Sequence, residues 1–201
     1  RTALADKLGA GANLATLSVE VTDDDGPSRI VEKALSAFGR IDFLINNAGL
    51  GSPTPLHETD DETLDRFLGV MLRAPFRLCR EAIGHMQPGS CVVNVTSTYA
   101  MIGGKRGGPY SAAKGGLKSL TEHMAVEYGP RGIRSNCVAP GVTMTDMVRH
   151  RFEDETFKRV NVETTPYPRL AEAEDIASAI AYLCSPGGEM INGQSLVVDG
   201  G

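Results

Sequence analysis

Ile41, Phe43, Leu44 and Ile45 form a short, nearly all-apolar run that stops at Asn46-Asn47-Ala48-Gly49. A strand with no polar face is stable only when both of its faces are covered, as in a parallel sheet flanked by helices. The run therefore calls for helical segments on either side of it, and the rest of the chain supplies them.

An apolar stretch at Leu14 to Val21 reads as a strand, followed by the acidic turn Asp23 to Asp25 and a helical pattern from Ser28 to Phe38 that Gly39 stops. After the Ile41 run and a Pro- and Gly-containing loop, helical periodicity extends from about Asp61 to Met86, with Pro75 expected to kink it. Cys91 to Val95 reads as a second buried strand, Thr96 to Gly108 as a glycine-rich loop, and Tyr110 to Tyr128 as a helix stopped by Gly129-Pro130. A strand at Ile133 to Ala139 leads into Pro140-Gly141. An irregular stretch, about 142–168, follows with one helix near Thr145 to Val160 and reads as a lid over a pocket. Glu172 to Cys184 is the last helix, and Ser195 to Val198 the last strand.

Strands alternating with helices at these intervals predict an α/β fold with a doubly wound, Rossmann-like parallel sheet. Ligands in such folds sit beyond the carboxyl ends of the strands. Here those ends carry Asn46 to Gly49, Thr96 to Thr98 and Pro140 to Thr145, so one rim is expected to hold the site.

A length of 201 residues with 41% hydrophobic content suits one domain over 1–201. A net charge of −5 with scattered Lys and Arg argues against nucleic acid. No apolar run is long enough to span a bilayer, and Arg1 does not open a signal peptide, so a cytoplasmic protein with no membrane partner is expected. Cys79, Cys91, Cys137 and Cys184 stand apart in apolar segments and read as buried thiols; His57, His85, His123 and His150 read as surface residues. No metal site is expected.

Tyr110 and Lys114 are four apart at a helix start, which sets them on one face. A tyrosine titrates near pH 10, so acting as a base near neutrality means a shift of roughly 3 units, about 4 kcal/mol. A neighbouring ammonium is one source of that shift. Ser97, at a strand end, is placed to hydrogen-bond a substrate oxygen. The set suits proton transfer beside hydride transfer.

Asn46-Asn47-Ala48-Gly49, Asn94-Val95-Thr96-Ser97, Tyr110-Ser111-Ala112-Ala113-Lys114 and Pro140-Gly141-Val142-Thr143-Met144-Thr145 together resemble the short-chain dehydrogenase/reductase family. The resemblance continues through Pro168-Arg169-Leu170 and Asn192-Gly193-Gln194 to Val198-Asp199-Gly200-Gly201. It implies an oxidoreductase moving a hydride between NAD or NADP and a secondary alcohol or ketone. Tyr110 would be the acid/base, Lys114 would lower its pKa and hold the nicotinamide ribose, and Ser97 would orient the substrate oxygen. Asn47, Ala48 and Gly49 would line the cofactor with Tyr110, Lys114, Pro140 and Gly141; Thr143 would meet the carboxamide and Thr145 approach the diphosphate. A homo-oligomer, dimer or tetramer, through the two long helices is implied as well.

The chain departs from the family pattern in two places. The family's opening βαβ unit, with its glycine-rich phosphate turn, is not found; its first strand is central in the family's sheet, so Ile41 to Asn46 is expected to present an unpaired apolar edge. The expectation is that the natural chain extends upstream of Arg1. Met71 stands where an Asn is usual, keeping a backbone carbonyl for a proton relay but losing the side-chain hydrogen bonds. These departures motivate an alternative, a noncatalytic nucleotide-sensing or assembly subunit; a lyase or epimerase of related fold is a third reading.

Asn94 is expected to brace strands, Gly103, Gly104, Gly107 and Gly108 to give flexibility near the substrate, and Lys105 and Arg106 to form a solvated loop tip. Arg73, Arg77 and Arg80 share a helix face, read as solvated or as an interface.

Overall fold

The computed structural model describes residues 14–51 and 54–201. The start of the expected single domain and Ser52-Pro53 in the loop after the first strand lie outside these residues. Four strands, β1 (Ile41–Asn46), β2 (Met86–Val95), β3 (Arg134–Pro140) and β6 (Ser195–Val198), form a sheet ordered β1-β2-β3-β6, with every neighbouring pair parallel. A small two-stranded sheet pairs β4 (Thr143–Met144) with β5 (Ala171–Glu172). The helices are α1 (Gly26–Phe38), α2 (Asp61–Leu68), α3 (Ala74–Ala82), α4 (Gly108–Tyr128), α5 (Asp146–Arg149), α6 (Glu155–Asn161) and α7 (Ala173–Cys184).

Successive residues of β2 face opposite layers, and both layers are filled. Val92 packs with Val31, Cys79, Ala82 and Met124 from α1, α3 and α4, whereas Cys91 and Val93 pack with Val138, Ile176 and Leu183 toward α7. Fully burying one valine contributes about 1.5–3 kcal/mol, so a polar residue in this run would disrupt one layer or the other. The doubly wound arrangement follows from that two-sided burial.

Residues Leu14 to Glu20 do not form the expected strand; they run without regular structure into the turn before α1. A parallel strand exists only through ladder bonds to a neighbour, and among the described residues β1 pairs on one side only, with β2. Leu14 and Leu17 are left exposed, as are Phe43 and Ile45 on the β1 edge.

The long helical pattern after Asp60 is also divided. Asp60 caps α2 by accepting the Thr63 N–H at 2.8 Å. A π-helical turn, Gly69–Arg73, separates α2 from α3, and the Ala74 N–H reaches back five residues to the Gly69 carbonyl. Pro75 has no N–H to give Met71, four residues earlier, so the α-helical ladder loses one bond there and its register slips. The distortion expected at Pro75 therefore lies in the turn before it. Met86, expected to end the helix, begins β2 after a 3-10 turn.

Arg77 on α3 is neither a free docking group nor merely solvated: its guanidinium donates to the Asp23 carbonyl at 3.0 Å and to the Asp24 carbonyl, closing the turn ahead of α1. The cysteines are free thiols, three buried and Cys184 half-buried, and burial pushes Cys79 up to about 12 and Cys91 to about 11. They are poor nucleophiles in that state. No helix among the described residues is long and apolar enough to cross a membrane.

Candidate active site

The parallel register Asn46↔Asn94 and Val95↔Val138 aligns the carboxyl ends of β1, β2 and β3 on one edge of the sheet. Beneath that edge runs a buried polar chain. Asn46 Nδ2 donates to Asn94 Oδ1 at 2.7 Å, Asn94 Nδ2 donates to Thr121 Oγ1 at 2.8 Å, and the Thr121 hydroxyl donates to the Leu117 carbonyl at 2.8 Å. Asn94 thus braces β1, β2 and α4, as its place in the sequence suggested, and Asn46 belongs to the brace.

Ser97 leaves the end of β2 buried. Its Oγ accepts the Tyr99 N–H at 3.2 Å, and its hydroxyl faces the Tyr110 phenol. Tyr110 and Lys114 occupy the first turns of α4, where Pro109 is tolerated because early helical N–H groups need no intrahelical acceptor. Lys114 is 4% exposed, and its Nζ donates to the Val95 carbonyl at 2.7 Å. Nζ stands 5.8 Å from the centre of the Tyr110 ring.

Burial is the largest influence on both titrating groups. It raises the Tyr110 phenol above its ordinary value, with the Ser97 hydroxyl opposing, and lowers Lys114 to about 8. The lowered phenol expected from a neighbouring lysine is not what the chain's own groups produce. A neutral phenol is a ready proton donor; the lysine beside it stays mostly charged near neutrality but releases its proton far more readily than a free lysine.

The segment at the end of β1 comes directly against this pair. A Cβ on Gly49 would lie 3.9 Å from Lys114 Nζ and 3.8 Å from Met71 Sδ. Asn47 and Ala48 are exposed on the rim and Gly49 is half-buried. Pro140, Gly141, Thr143 and Thr145 extend from β3, all half-buried, with Thr143 Oγ1 donating to the Gly141 carbonyl at 3.3 Å.

Met71 is fully buried, packed with Phe67, Ala113, Leu50 and Tyr110. Its Sδ accepts the Leu50 N–H at 3.5 Å. The expected loss of side-chain hydrogen bonding is therefore partial: a sulfur acceptor still ties the rim loop to the π turn. Gly116 on α4 permits this approach, since a Cβ there would lie 2.8 Å from Leu72.

The loop 98–108 is more ordered than its glycines suggest. Thr54 N–H donates to the Arg106 carbonyl at 2.9 Å, joining it to the loop after β1. Lys105 and Arg106 are exposed at its tip, as expected. The segment 142–168 holds two short helices, α5 and α6, in place of one. The Asp154 carboxylate accepts the Thr156 and Phe157 N–H groups and starts α6 afresh. Met147 on α5 faces the β1 loop, where a Cβ on Gly51 would meet its Cγ at 3.1 Å.

A family profile described as "Enoyl-(Acyl carrier protein) reductase" matches residues 1–201. The A-factor type gamma-butyrolactone 1'-reductase (1S-forming) of Streptomyces virginiae is 37% identical over 204 residues, covering 98% of this chain and 79% of that protein. The chain is a short-chain dehydrogenase/reductase. The fold agrees: the crystal structure of a short-chain dehydrogenase/reductase, glucose/ribitol dehydrogenase, from Brucella melitensis superimposes with a TM-score of 0.93 at 32% identity, covering 100% of this chain and 80% of that one. A short-chain dehydrogenase from Burkholderia cenocepacia, solved with NADP, gives a TM-score of 0.84 at 30% identity over 92% of this chain and 75% of its own. As a short-chain dehydrogenase/reductase this chain is an NAD(P)-dependent oxidoreductase.

The donor set fits such a cofactor. Among the described residues the Lys114 ammonium makes one hydrogen bond, to Val95, and two of its N–H groups remain for hydroxyl acceptors beside Gly49. Sequence reasoning missed Tyr99, whose ring sits 6.1 Å from that of Tyr110; an aromatic two residues after the strand-end serine was the available signal.

Proposed function

We propose that the protein interconverts a secondary alcohol and its ketone, with Tyr110 as acid/base, Ser97 orienting the substrate oxygen and Lys114 serving both the ribose and the phenol. The observation that carries this reading is the convergence of a half-buried phenol, a buried lysine and a buried serine whose hydroxyl faces the phenol. NAD(P), when bound, supplies or accepts the hydride.

In the reducing direction the Ser97 hydroxyl donates a hydrogen bond to the substrate carbonyl oxygen, polarising it toward Tyr110. The protonated phenol then delivers its proton to that oxygen as negative charge develops there. In the oxidising direction the phenolate must first form, and Lys114 is the nearby cation that favours it. The raised phenol therefore biases the unliganded site toward proton donation. Asn47, Ala48 and Gly49, with Pro140, Gly141, Thr143 and Thr145, would hold the cofactor along the rim, and 142–168 would close over it.

The Leu50–Met71 hydrogen bond keeps the rim loop tied to the π turn although the usual Asn is absent. The same proposal has the chain act in the cytoplasm as a dimer or tetramer through the long helices, on which Phe76 is 50% and Val126 81% exposed.

The test is reduction of a ketone and oxidation of an alcohol panel with NAD and NADP, comparing wild type with Tyr110→Phe. Loss of turnover by about 10²–10⁴-fold with the fold retained is expected. Undiminished turnover in Tyr110→Phe refutes the role.

A further inference from the structure

The loop after β2 holds an arrangement that bears on substrate choice. The ring of Tyr99 stands edge-on to Tyr110, at 6.1 Å between centres and 81° between planes. Its far end is folded under Gly104, where a Cβ would lie 2.2 Å from Tyr99 Cζ, an overlap no side chain tolerates. Gly107 is also close, with a Cβ there 3.1 Å from the ring. Gly104 is not among the residues with positive φ, so its backbone suits any amino acid. The glycine is required by the ring's position and not by the turn.

The same Tyr99 gives its N–H to Ser97 Oγ, so the ring is rooted beside the oxygen-binding hydroxyl. Two apolar side chains stand on neighbouring segments: Leu56, against Gly108 at the start of α4, and Met147, against Gly51. Both are exposed, as the lips of a site are. The charged tip, Lys105-Arg106, points its side chains to solvent.

We infer that Tyr99, seated by Gly104, is a specificity-determining wall that selects a neutral cyclic ketone or alcohol by packing against the carbon ring next to the reacting carbonyl. This rests on the function proposed above. An aromatic face rewards a flat-sided carbon ring, which presents area without rotamer entropy, more than a short open chain. It gives nothing to an anionic group, which would lose water without gaining a partner.

The experiment compares kcat/KM for cyclohexanone and 2-butanone, with reduced cofactor, in wild type, Tyr99→Ala, Tyr99→Phe, Gly104→Ala and the Tyr99→Ala/Gly104→Ala double variant. Tyr99→Ala is expected to lower the cyclohexanone value about tenfold while leaving 2-butanone near wild type, an effect of the size of one aromatic packing contact. Tyr99→Phe should keep the preference. Gly104→Ala should displace the ring and reduce the preference, yet have no effect once Tyr99 is alanine, because nothing is left to clash.

Equal losses on both ketones, a Gly104→Ala effect that persists in the Tyr99→Ala background, or no turnover of cyclohexanone would each overturn the inference. Tyr110→Phe separates the two levels. If it abolishes turnover while the Tyr99 variants show no selectivity change, only the wall fails; if turnover survives it, the proposed chemistry fails.

Discussion

Lys114 should leave a measurable mark on the pH dependence of folding. The free lysine titrates near 10.4 in model peptides, and burial in the folded chain brings it to about 8. Between those values the unfolded chain holds a proton that the folded chain has released, so the contribution of this lysine to stability rises with pH across that window. From pH 7 to pH 10 the gain from this group is about 2–3 kcal/mol. Tyr110 and the buried thiols Cys79 and Cys91 work in the opposite sense, because groups raised by burial lose their stabilising contribution as pH passes their ordinary values. The lysine is therefore read from the difference between the wild type and a variant that keeps those groups. Lys114→Met removes the titration while leaving an apolar stem in place, and strands the Val95 carbonyl at a cost of about 1–3 kcal/mol independent of pH. Urea unfolding of both proteins at several pH values, without cofactor, should show the wild type gaining on the variant by about 2–3 kcal/mol. Parallel stability curves would refute the reasoning, since they would mean that the ammonium is not desolvated in the folded chain.

Asn94→Leu should cost about 1–3 kcal/mol in urea unfolding, because it takes from the buried Asn46 its amide acceptor and from Thr121 its amide donor, leaving them the weaker Cys79 contact and the Leu117 bond. Met71→Ala should destabilise by about 2–5 kcal/mol through the cavity it opens beside Tyr110, whereas Met71→Asn should raise the rate at saturating cofactor; no increase counts against a relay through that turn. Val126→Glu should shift the mass measured by light scattering toward the monomer without altering the far-ultraviolet circular dichroism, and an unchanged assembly would exclude that face as the contact.

The elements easiest to read were those whose signals are local. Ser195 to Val198 is a strand with the expected ends, and the Tyr110 helix differs from its expected start by the two residues ahead of the tyrosine. Leu14 to Val21 failed because apolar content announces a wish for burial but not the presence of a neighbouring strand. The turn at Gly69 to Arg73 failed for a subtler reason: proline was recognised, but the hydrogen bond it removes belongs to the residue four positions before it. In the 142–168 segment Asp154 restarts a helix that hydrophobic periodicity ran together.

At the site, Ser97, Tyr110 and Lys114 were legible because one follows a buried strand and two share a helix face. The place of Tyr99 was not, since it depends on a loop returning over its own aromatic ring. The direction of the Tyr110 shift was also hidden, because spacing conveys the neighbour's charge but not how much water both groups lose.

The hydrogen-bonded chain from Asn46 through Asn94 to Thr121 has a consequence for how this protein can change. It connects two strand ends to the helix that bears Tyr110, at a point about two turns along that helix from Lys114. Sliding any one of these three elements would sever it, so the alignment of Ser97, Tyr110 and Lys114 is stored in amides that lie beneath the rim. Substitutions at the three positions must then arrive as a coordinated set, and the interior of the sheet is held to as narrow a choice as the rim it supports.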